Sequence, residues 1–177
     1  MININLKNIN LRKEVDYILN NFGIKVLYVR NSKYARCSCY DELYKSGNIK
    51  CKKCLGSGKL TTLEVMTMFI SDDKYYSKLS AAGKYNASIG KAITRHNKDI
   101  AFNDFILIVG SANNIVTDVK TVYRINNVNN VRCDNGRIEY NELDILSDDI
   151  YTRMYDDLVK RIRIDLGSNK KYVISKE

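Results

Sequence analysis

Four of the five cysteines in this 177-residue chain lie within 18 residues of one another. They form two close pairs, a Cys-x-Cys pair at Cys37 and Cys39 and a Cys-x-x-Cys pair at Cys51 and Cys54. Thiolates are soft ligands, and two such pairs joined by a short loop suit a tetrahedral metal ion, most often zinc. The spacing therefore predicts that these four cysteines bind one structural zinc ion.

Two glycines follow the second cysteine pair, at Gly56 and Gly58. After a Cys-x-x-Cys turn the backbone must curl so that its N–H groups face the sulfurs, and glycine adopts the positive φ that this needs. Because the protein would supply all four ligands, the predicted site is closed and not catalytic.

Three other readings of the cysteines remain open. An iron–sulfur cluster also uses four thiolates, although the Cys-x-Cys pair is tight for that role and no redox partner residues are visible. A Cys-x-x-Cys dithiol redox site normally lies in a βαβ unit, which the surrounding sequence does not predict. The four side chains could also be unliganded thiols.

The remaining residues that could do chemistry are isolated. Cys133 lies far from the cluster and is expected to be a small, half-buried apolar side chain. His96 is the only histidine, and without a neighbouring Glu-x-x-His arrangement it is expected on the surface or in a loop rather than as a base. No Gly-x-Ser-x-Gly or Walker-type loop is present, so we predict no catalytic residues and no enzymatic activity.

The net charge of +9 is unevenly distributed along the chain. Residues 25–59 carry a net +7 and residues 133–157 a net −6. The basic segment could bind nucleic acid, with Tyr40 and Tyr44 available for stacking, or it could meet the acidic segment of a neighbouring subunit. In the second case assembly should weaken at high salt. The candidate contacts to nucleic acid or to a subunit are Arg36, Lys50, Lys52, Lys53 and Lys59.

Hydrophobic residues make up 45% of the chain and charged residues 28%, as is ordinary for a folded protein. No apolar run approaches the ~18 residues of a membrane span, and the first residues lack the features of a signal peptide. We therefore expect no membrane partner and synthesis in a reducing cytoplasm, where thiols favour metal over disulfide.

An N-terminal helix and a strand precede the cysteines. Apolar residues recur at helical spacing over 8–22, with Asn8 or Asn10 as the cap, and Gly23 is expected in the left-handed position that ends a helix. The β-branched and aromatic residues of 24–30 predict a strand. The cysteine module, residues 31–60, has too few apolar residues to build its own core. A bound metal would have to take the place of that core. Within it, 40–47 is expected to form one helical turn closed by Gly47.

From residue 61 onward the pattern is mainly that of short strands. Residues 71–85 are polar and are expected to form a long loop or a short helix. Asn135-Gly136 is a strong hairpin signal. The predicted strands are 61–70, 88–94, 104–109, 118–126, 130–133 and 137–146.

The last 31 residues predict a helix capped by Ser147, then a strand-like stretch at 161–166 and a terminal hairpin or arm that includes 172–175. The expected fold is mainly β (α+β): a small antiparallel barrel or sandwich with an N-terminal helix, a four-cysteine zinc module and a C-terminal helix or arm. The expected units are 1–30, 31–60, 61–146 and 147–177.

The order of these parts resembles that of a family of tailed-bacteriophage virion proteins at the head–tail junction, the neck, head-closure or connector proteins. The resemblance covers residues 10 to about 146, and the cysteine motif within it is specific to the family. The matching stretches are Val26-Leu-Tyr-Val-Arg30, Arg36-Cys-Ser-Cys39, Asp41-Glu-Leu-Tyr44, Cys51-Lys-Lys-Cys54-Leu-Gly-Ser-Gly58, Tyr123-Arg-Ile125 and Gly136-Arg-Ile-Glu-Tyr140.

The resemblance implies a non-enzymatic subunit of a ring in the neck, which connects the capsid portal to the tail and extends or seals the DNA channel. Its partners would be further copies of the chain, the portal or an adaptor protein, tail proteins and the genomic DNA in the channel. It would assemble in the host bacterial cytoplasm and reside in the virion. The alternative is a zinc-dependent DNA- or RNA-binding protein of a phage.

Overall fold

The computed structural model describes residues 10–48, 50, 51, 54, 58–80, 83–133, 135–148, 151–168 and 171–173, with the backbone alone described at 31–35, 72–80, 83–89 and 173. Within these residues the elements follow one another as α1 (Leu11–Phe22), β1 (Ile24–Arg36), β2 (Tyr40–Asp41), β3 (Ser46–Gly47), β4 (Lys59–Ser80), β5 (Gly83–Arg95), β6 (Phe105–Ala112), β7 (Ile115–Arg132), β8 (Ile138–Ser147), α2 (Thr152–Arg161) and β9 (Lys171–Val173).

One large antiparallel sheet dominates the structure. Its strand order is β1-β6-β7-β8-β5-β4-β9, and β1 also pairs with β4. Six strands therefore form a closed cycle of pairings, as in a small barrel, and β9 pairs with β4 along Thr62–Glu64. The mainly β fold with an N-terminal helix and a C-terminal helix is confirmed.

The sheet is apolar on both faces near its first strand. Along β1, Val26 and Tyr28 join a core to which all six strands of the cycle contribute. Leu27 and Val29 point the other way into a second core, which is completed by α2 and by Ile164 of the following segment. Alternate residues of one strand thus belong to different cores, as the period of two requires. Burial on both faces explains the nearly continuous apolar run over 26–29.

Helix α1 packs against the sheet through Val15 and Leu19, which are buried. The side chain of Asn10 caps it by accepting a hydrogen bond from the N–H of Lys13, as the sequence predicted. The prediction of a left-handed Gly23 is wrong. Gly23 is extended, with φ −73°, because β1 begins at the next residue. Both α1 and α2 are too short and too polar to cross a membrane.

Two predictions about where strands begin and end are wrong. In the polar stretch 71–85, the described residues 71–80 and 83–85 are neither loop nor helix, because they belong to β4 and β5, which pair with each other as a ribbon. Main-chain pairing holds this ribbon, and such pairing leaves no trace in apolar periodicity. The strands predicted at 118–126 and 130–133 are one strand, β7, in which a register shift between Ile125 and Asn127 maintains pairing with β8. The hairpin predicted at Asn135-Gly136 does connect β7 to β8.

Ser147 does not cap the C-terminal helix. It is the last residue of β8, and α2 begins only at Thr152, with Tyr151 at the cap position and no side-chain capping bond. The stretch 161–166 is not a strand of the sheet. Asp165 makes an isolated bridge to Ile115 while Ile164 is buried in the second core. In the terminal stretch, β9 includes Tyr172, and residues 174 and 175 lie outside the described residues.

Candidate metal centre

The pairing of β1 with β4 brings the two cysteine pairs together. These strands are antiparallel neighbours from Ile24 opposite Met68 to Arg36 opposite Lys59. Residues 37–58 connect them and carry all four cysteines of the cluster. One further main-chain bond, from the N–H of Cys37 to the carbonyl of Gly58 at 2.8 Å, continues the pairing into the connection. Both cysteine segments therefore start from adjacent points at the end of the sheet.

The four sulfurs converge on one point. All four Sγ atoms lie within 4.8 Å of one another. The Sγ atoms of Cys37 and Cys51 are 3.7 Å apart, and those of Cys39 and Cys54 are 3.3 Å apart. Zn–S bonds of about 2.3 Å place the sulfurs of a tetrahedral site about 3.8 Å apart, whereas a disulfide needs about 2.05 Å. None of these four cysteines forms a disulfide, and together they could hold a metal ion.

Tight turns aim the sulfurs inward. The N–H of Tyr40 donates to the carbonyl of Cys37 at 2.9 Å, and the N–H of Cys51 donates to the carbonyl of Asn48 at 2.8 Å. Gly58 has the predicted positive φ, at +71°. A Cβ at Gly58 would lie 2.5 Å from Cδ2 of Tyr40, so a larger residue has no room there. The other predicted glycine, Gly56, lies outside the described residues.

The segment between the cysteine pairs is a hairpin, so the prediction of a helical turn at 40–47 is wrong. Tyr40 pairs with Gly47 and Asp41 with Ser46, which makes β2 and β3 the arms. The Asp41 carboxylate accepts hydrogen bonds from the N–H groups of Leu43 at 2.8 Å and Tyr44 at 3.1 Å. An aspartate that binds the backbone two and three residues ahead favours a turn over a helix interior.

Protons compete with a cation for this cluster. Burial and hydrogen bonding to the thiols of Cys51 and Cys54 raise the pKa of the Cys39 thiol to about 12. Packing the sulfurs together therefore favours the protonated thiol of Cys39 when no cation is bound. A divalent cation reverses this preference, because it stabilises thiolates and displaces their protons.

The basic residues near the cysteines have different environments. Arg36 lies over the ring of Tyr40, with its Cζ 4.8 Å from the ring centroid, and forms an ion pair with Glu42. Its guanidinium and that ring thus already contact each other. Lys50 and Lys59 are exposed at the edge of the module. Lys52 and Lys53 lie outside the described residues. The role of all five residues in contacts stays a prediction.

Four of the eight acids of the acidic segment form ion pairs within the chain, and two more, Asp134 and Asp149, lie outside the described residues. Glu142, for example, pairs with Lys91 of the neighbouring strand, and Glu139 is buried. Fewer acids are therefore available to a neighbouring subunit than the sequence count of −6 indicates. The ion pairs join Arg12 and Arg137 to Glu139, Lys91 to Glu142, Arg124 to Asp148, and Lys160 to Asp156.

The two isolated residues of the sequence analysis lie away from the cluster. Cys133 is half-buried at the β7–β8 turn, as predicted, with its Sγ 2.5 Å from Oδ1 of Asn135. His96 lies in the turn after β5, also as predicted. Sequence reasoning named Tyr44 for stacking, but it missed that Leu43 is exposed beside it at the tip of the β2–β3 hairpin. The signal in the sequence was Asp41, which stands two residues before Leu43 and three before Tyr44. The stretch around it has neither helical nor strand periodicity, so a turn was the better prediction.

The fold and the site together define a closed antiparallel sheet that carries a four-cysteine module on one strand connection. No protein-family model matches the chain, and no curated protein is significantly similar to it in sequence. Its function must therefore be inferred from the site and from the motif resemblance described above.

Proposed function

We propose that this chain is a structural, non-enzymatic virion protein of a tailed bacteriophage, which forms a ring in the neck between the capsid portal and the tail and extends or seals the DNA channel. The support is the combination of a closed antiparallel sheet, an N-terminal helix and a four-cysteine module in the order typical of the family that the sequence resembles. In this proposal the portal or an adaptor protein lies on one side of the ring and tail proteins lie on the other.

The convergence of the four sulfurs carries the proposal. Their separations suit tetrahedral zinc, and the protein supplies every ligand, which is the arrangement of structural rather than catalytic zinc sites. Cys37, Cys39, Cys51 and Cys54 are the proposed ligands.

The proposed role of zinc is to make the module rigid. None of the described residues between Cys37 and Gly58 belongs to either apolar core of the sheet. A connection of this length without its own core is held together by the bound metal, because metal binding supplies the folding free energy that apolar burial does not. A rigid module can then serve as a contact to a neighbouring subunit.

Replacement of one ligand tests the proposal. Cys51→Ser should lose zinc, measured by plasma mass spectrometry, and should fail to form the rings that electron microscopy shows for the wild type. Cys133→Ser is the matched control, because Cys133 is outside the cluster, and it should retain both zinc and rings. A Cys51→Ser protein that lacks zinc yet joins full particles would contradict the proposal, as would a wild-type protein that forms no rings. Portal and tail genes beside this gene are a second expected observation.

A further inference from the structure

Two sulfur contacts of the cluster each join one cysteine segment to the other. The Sγ of Cys37 contacts the Sγ of Cys51 at 3.7 Å, and the Sγ of Cys39 contacts that of Cys54 at 3.3 Å. The two members of a contact are 14 residues apart in the first case and 15 in the second. Both contacts therefore bridge the Cys-x-Cys segment and the Cys-x-x-Cys segment.

Each contact pairs a buried cysteine with a more accessible one. Cys37 and Cys54 are buried, with 3% and 1% of their surface exposed, whereas Cys39 and Cys51 are half-buried. An oxidant in solution thus reaches Cys39 and Cys51 more easily. The sulfur that it meets first already touches a cysteine of the other segment, and a sulfenic acid condenses with such a neighbouring thiol to form a disulfide.

Cross-links between the two segments would hold the module closed without a metal. The segments start from adjacent points at the end of the sheet, where the N–H of Cys37 donates to the carbonyl of Gly58 at 2.8 Å. None of the described residues between these two belongs to either apolar core, so links between the segments decide whether the module stays folded. A disulfide at each sulfur contact would join the same two segments that four metal–sulfur bonds join.

We propose that the module is a redox device, in which a peroxide converts the four cysteines into two disulfides, from Cys37 to Cys51 and from Cys39 to Cys54, and zinc is released. The inference rests on the proposed function for its setting, because a virion is assembled in a reducing cytoplasm and then released into an oxidising exterior. Zinc holds the module during assembly, and the disulfides hold it in the released particle.

The oxidation balances in two steps for each disulfide. The thiolate of Cys39 or Cys51 attacks one oxygen of hydrogen peroxide, the O–O bond breaks, and hydroxide leaves a sulfenic acid behind. The thiolate of the contacting cysteine, Cys54 or Cys37, then attacks this sulfur, the S–O bond breaks and a second hydroxide leaves. Two thiolates thus give two electrons to one peroxide. After two peroxides have reacted, the cluster offers no thiolate to hold zinc.

Titration of the full-length, zinc-loaded protein with hydrogen peroxide tests the proposal. A chromophoric zinc indicator follows metal release, and mass spectrometry of a tryptic digest prepared without reductant identifies the cross-links. Trypsin cuts at the lysines between Cys51 and Cys54, so these two cysteines fall in separate peptides. Fragmentation of the peptide that carries Cys37 and Cys39 then shows which of them holds each partner. Cys133→Ser is the control, because it removes the one cysteine outside the cluster.

The wild type and the control should each consume two peroxides for every zinc ion released, and both should contain the two proposed disulfides. Hydrogen exchange over residues 37–58 should stay slow in the oxidised protein, whereas it should be fast in protein that has lost zinc to a chelator and is kept reduced. Rings assembled before oxidation should persist after it, because the module stays closed.

Any other pairing would overturn the proposal, including disulfides within a segment, from Cys37 to Cys39 or from Cys51 to Cys54. Oxidation to sulfinic acid without cross-links, or zinc retained in excess peroxide, would also overturn it. These results concern the oxidised protein alone, so the ring proposal would stand. A wild-type protein that forms both disulfides but no rings before oxidation would instead contradict the ring proposal and leave the oxidation chemistry in place.

Discussion

The backbone N–H of Gly58 donates a hydrogen bond to the Sγ of Cys54 at 3.3 Å. The bond connects the last turn of the module to a buried sulfur of the cluster. An N–H that donates to a sulfur favours the thiolate over the thiol, as it does for any hydrogen-bonded anion. Gly58 thus has two roles, since it places this N–H and its positive φ lets the chain enter β4.

Gly58→Ala should weaken metal binding. The φ of +71° costs a non-glycine residue about 1–2 kcal/mol, and the added Cβ would also lie 2.9 Å from the backbone N of Gly47. Competition with a chromophoric chelator should show zinc affinity at least tenfold lower. Gly136→Ala is the control, because its φ is +77° but nothing lies within 4 Å of the added Cβ. It should lower stability by about 1 kcal/mol and leave zinc affinity unchanged. Equal zinc affinity in the two variants would contradict this role of Gly58.

Removal of zinc with a chelator should open the module and leave the sheet folded. The two apolar cores are formed without the described residues of the module, so they do not depend on the metal. Hydrogen exchange followed by mass spectrometry should show fast exchange confined to residues 37–58. Cys51→Ser should show this pattern with or without added zinc. Loss of protection throughout β6, β7 and β8 on chelation would show instead that the metal supports the whole fold.

Glu139→Gln should destabilise the protein at neutral pH. Hydrogen bonds from Arg137 and Cys133 hold the pKa of Glu139 below its ordinary value, and Arg12 of α1 pairs with the same carboxylate. A lowered pKa means that the stabilisation is present above the unfolded-state value, about 4.3, and is lost as the pH falls through the folded-state value. Thermal melts should therefore show a lower midpoint for the variant at pH 7 and midpoints that converge as the pH falls through the folded-state pKa of Glu139.

The control for Glu139 is Glu142→Gln on the same strand. Glu142 pairs with Lys91, whose side chain is largely exposed, and ion pairs of this kind contribute little. Its midpoint at pH 7 should differ less from that of the wild type. A larger effect at Glu142 than at Glu139 would contradict the importance of the buried carboxylate.

Tyr28→Phe should destabilise the core that contains Val26 and Tyr28. The Tyr28 hydroxyl donates to the carboxylate of buried Asp104 and accepts from the N–H of Ala101 at 3.2 Å. Burial and the hydrogen bond to Asp104 raise the pKa of Tyr28, so the hydroxyl keeps its proton. Loss of this donor should lower the free energy of unfolding by about 1–3 kcal/mol in urea titrations. The exposed Tyr17→Phe should change it by less than about 0.5 kcal/mol. Equal changes would indicate that the hydroxyl contributes nothing.

The sequence by itself determined the local features of this protein. The cysteine spacing identified the four side chains that converge, because two close cysteine pairs joined by a short connection are typical of a tetrahedral metal site. Local sequence preferences also predicted helix α1 with its Asn10 cap, the Asn135-Gly136 hairpin and the mainly β class. These features depend on residues within a few positions of one another, which is the range over which periodicity and turn preferences act.

Only the tertiary structure decided the features that depend on distant partners. The closure of the sheet joins β1 to β4 and β6, and the second core needs α2. The acidic segment appeared free in sequence, yet Glu139 is paired with Arg12, 127 positions earlier in the chain. The exposure of Leu43 was also decided by the folded chain, because an apolar residue is exposed only when no other part of the chain covers it. A local pattern can show which face of an element is apolar, but charge pairing and the final extent of burial are properties of the folded chain.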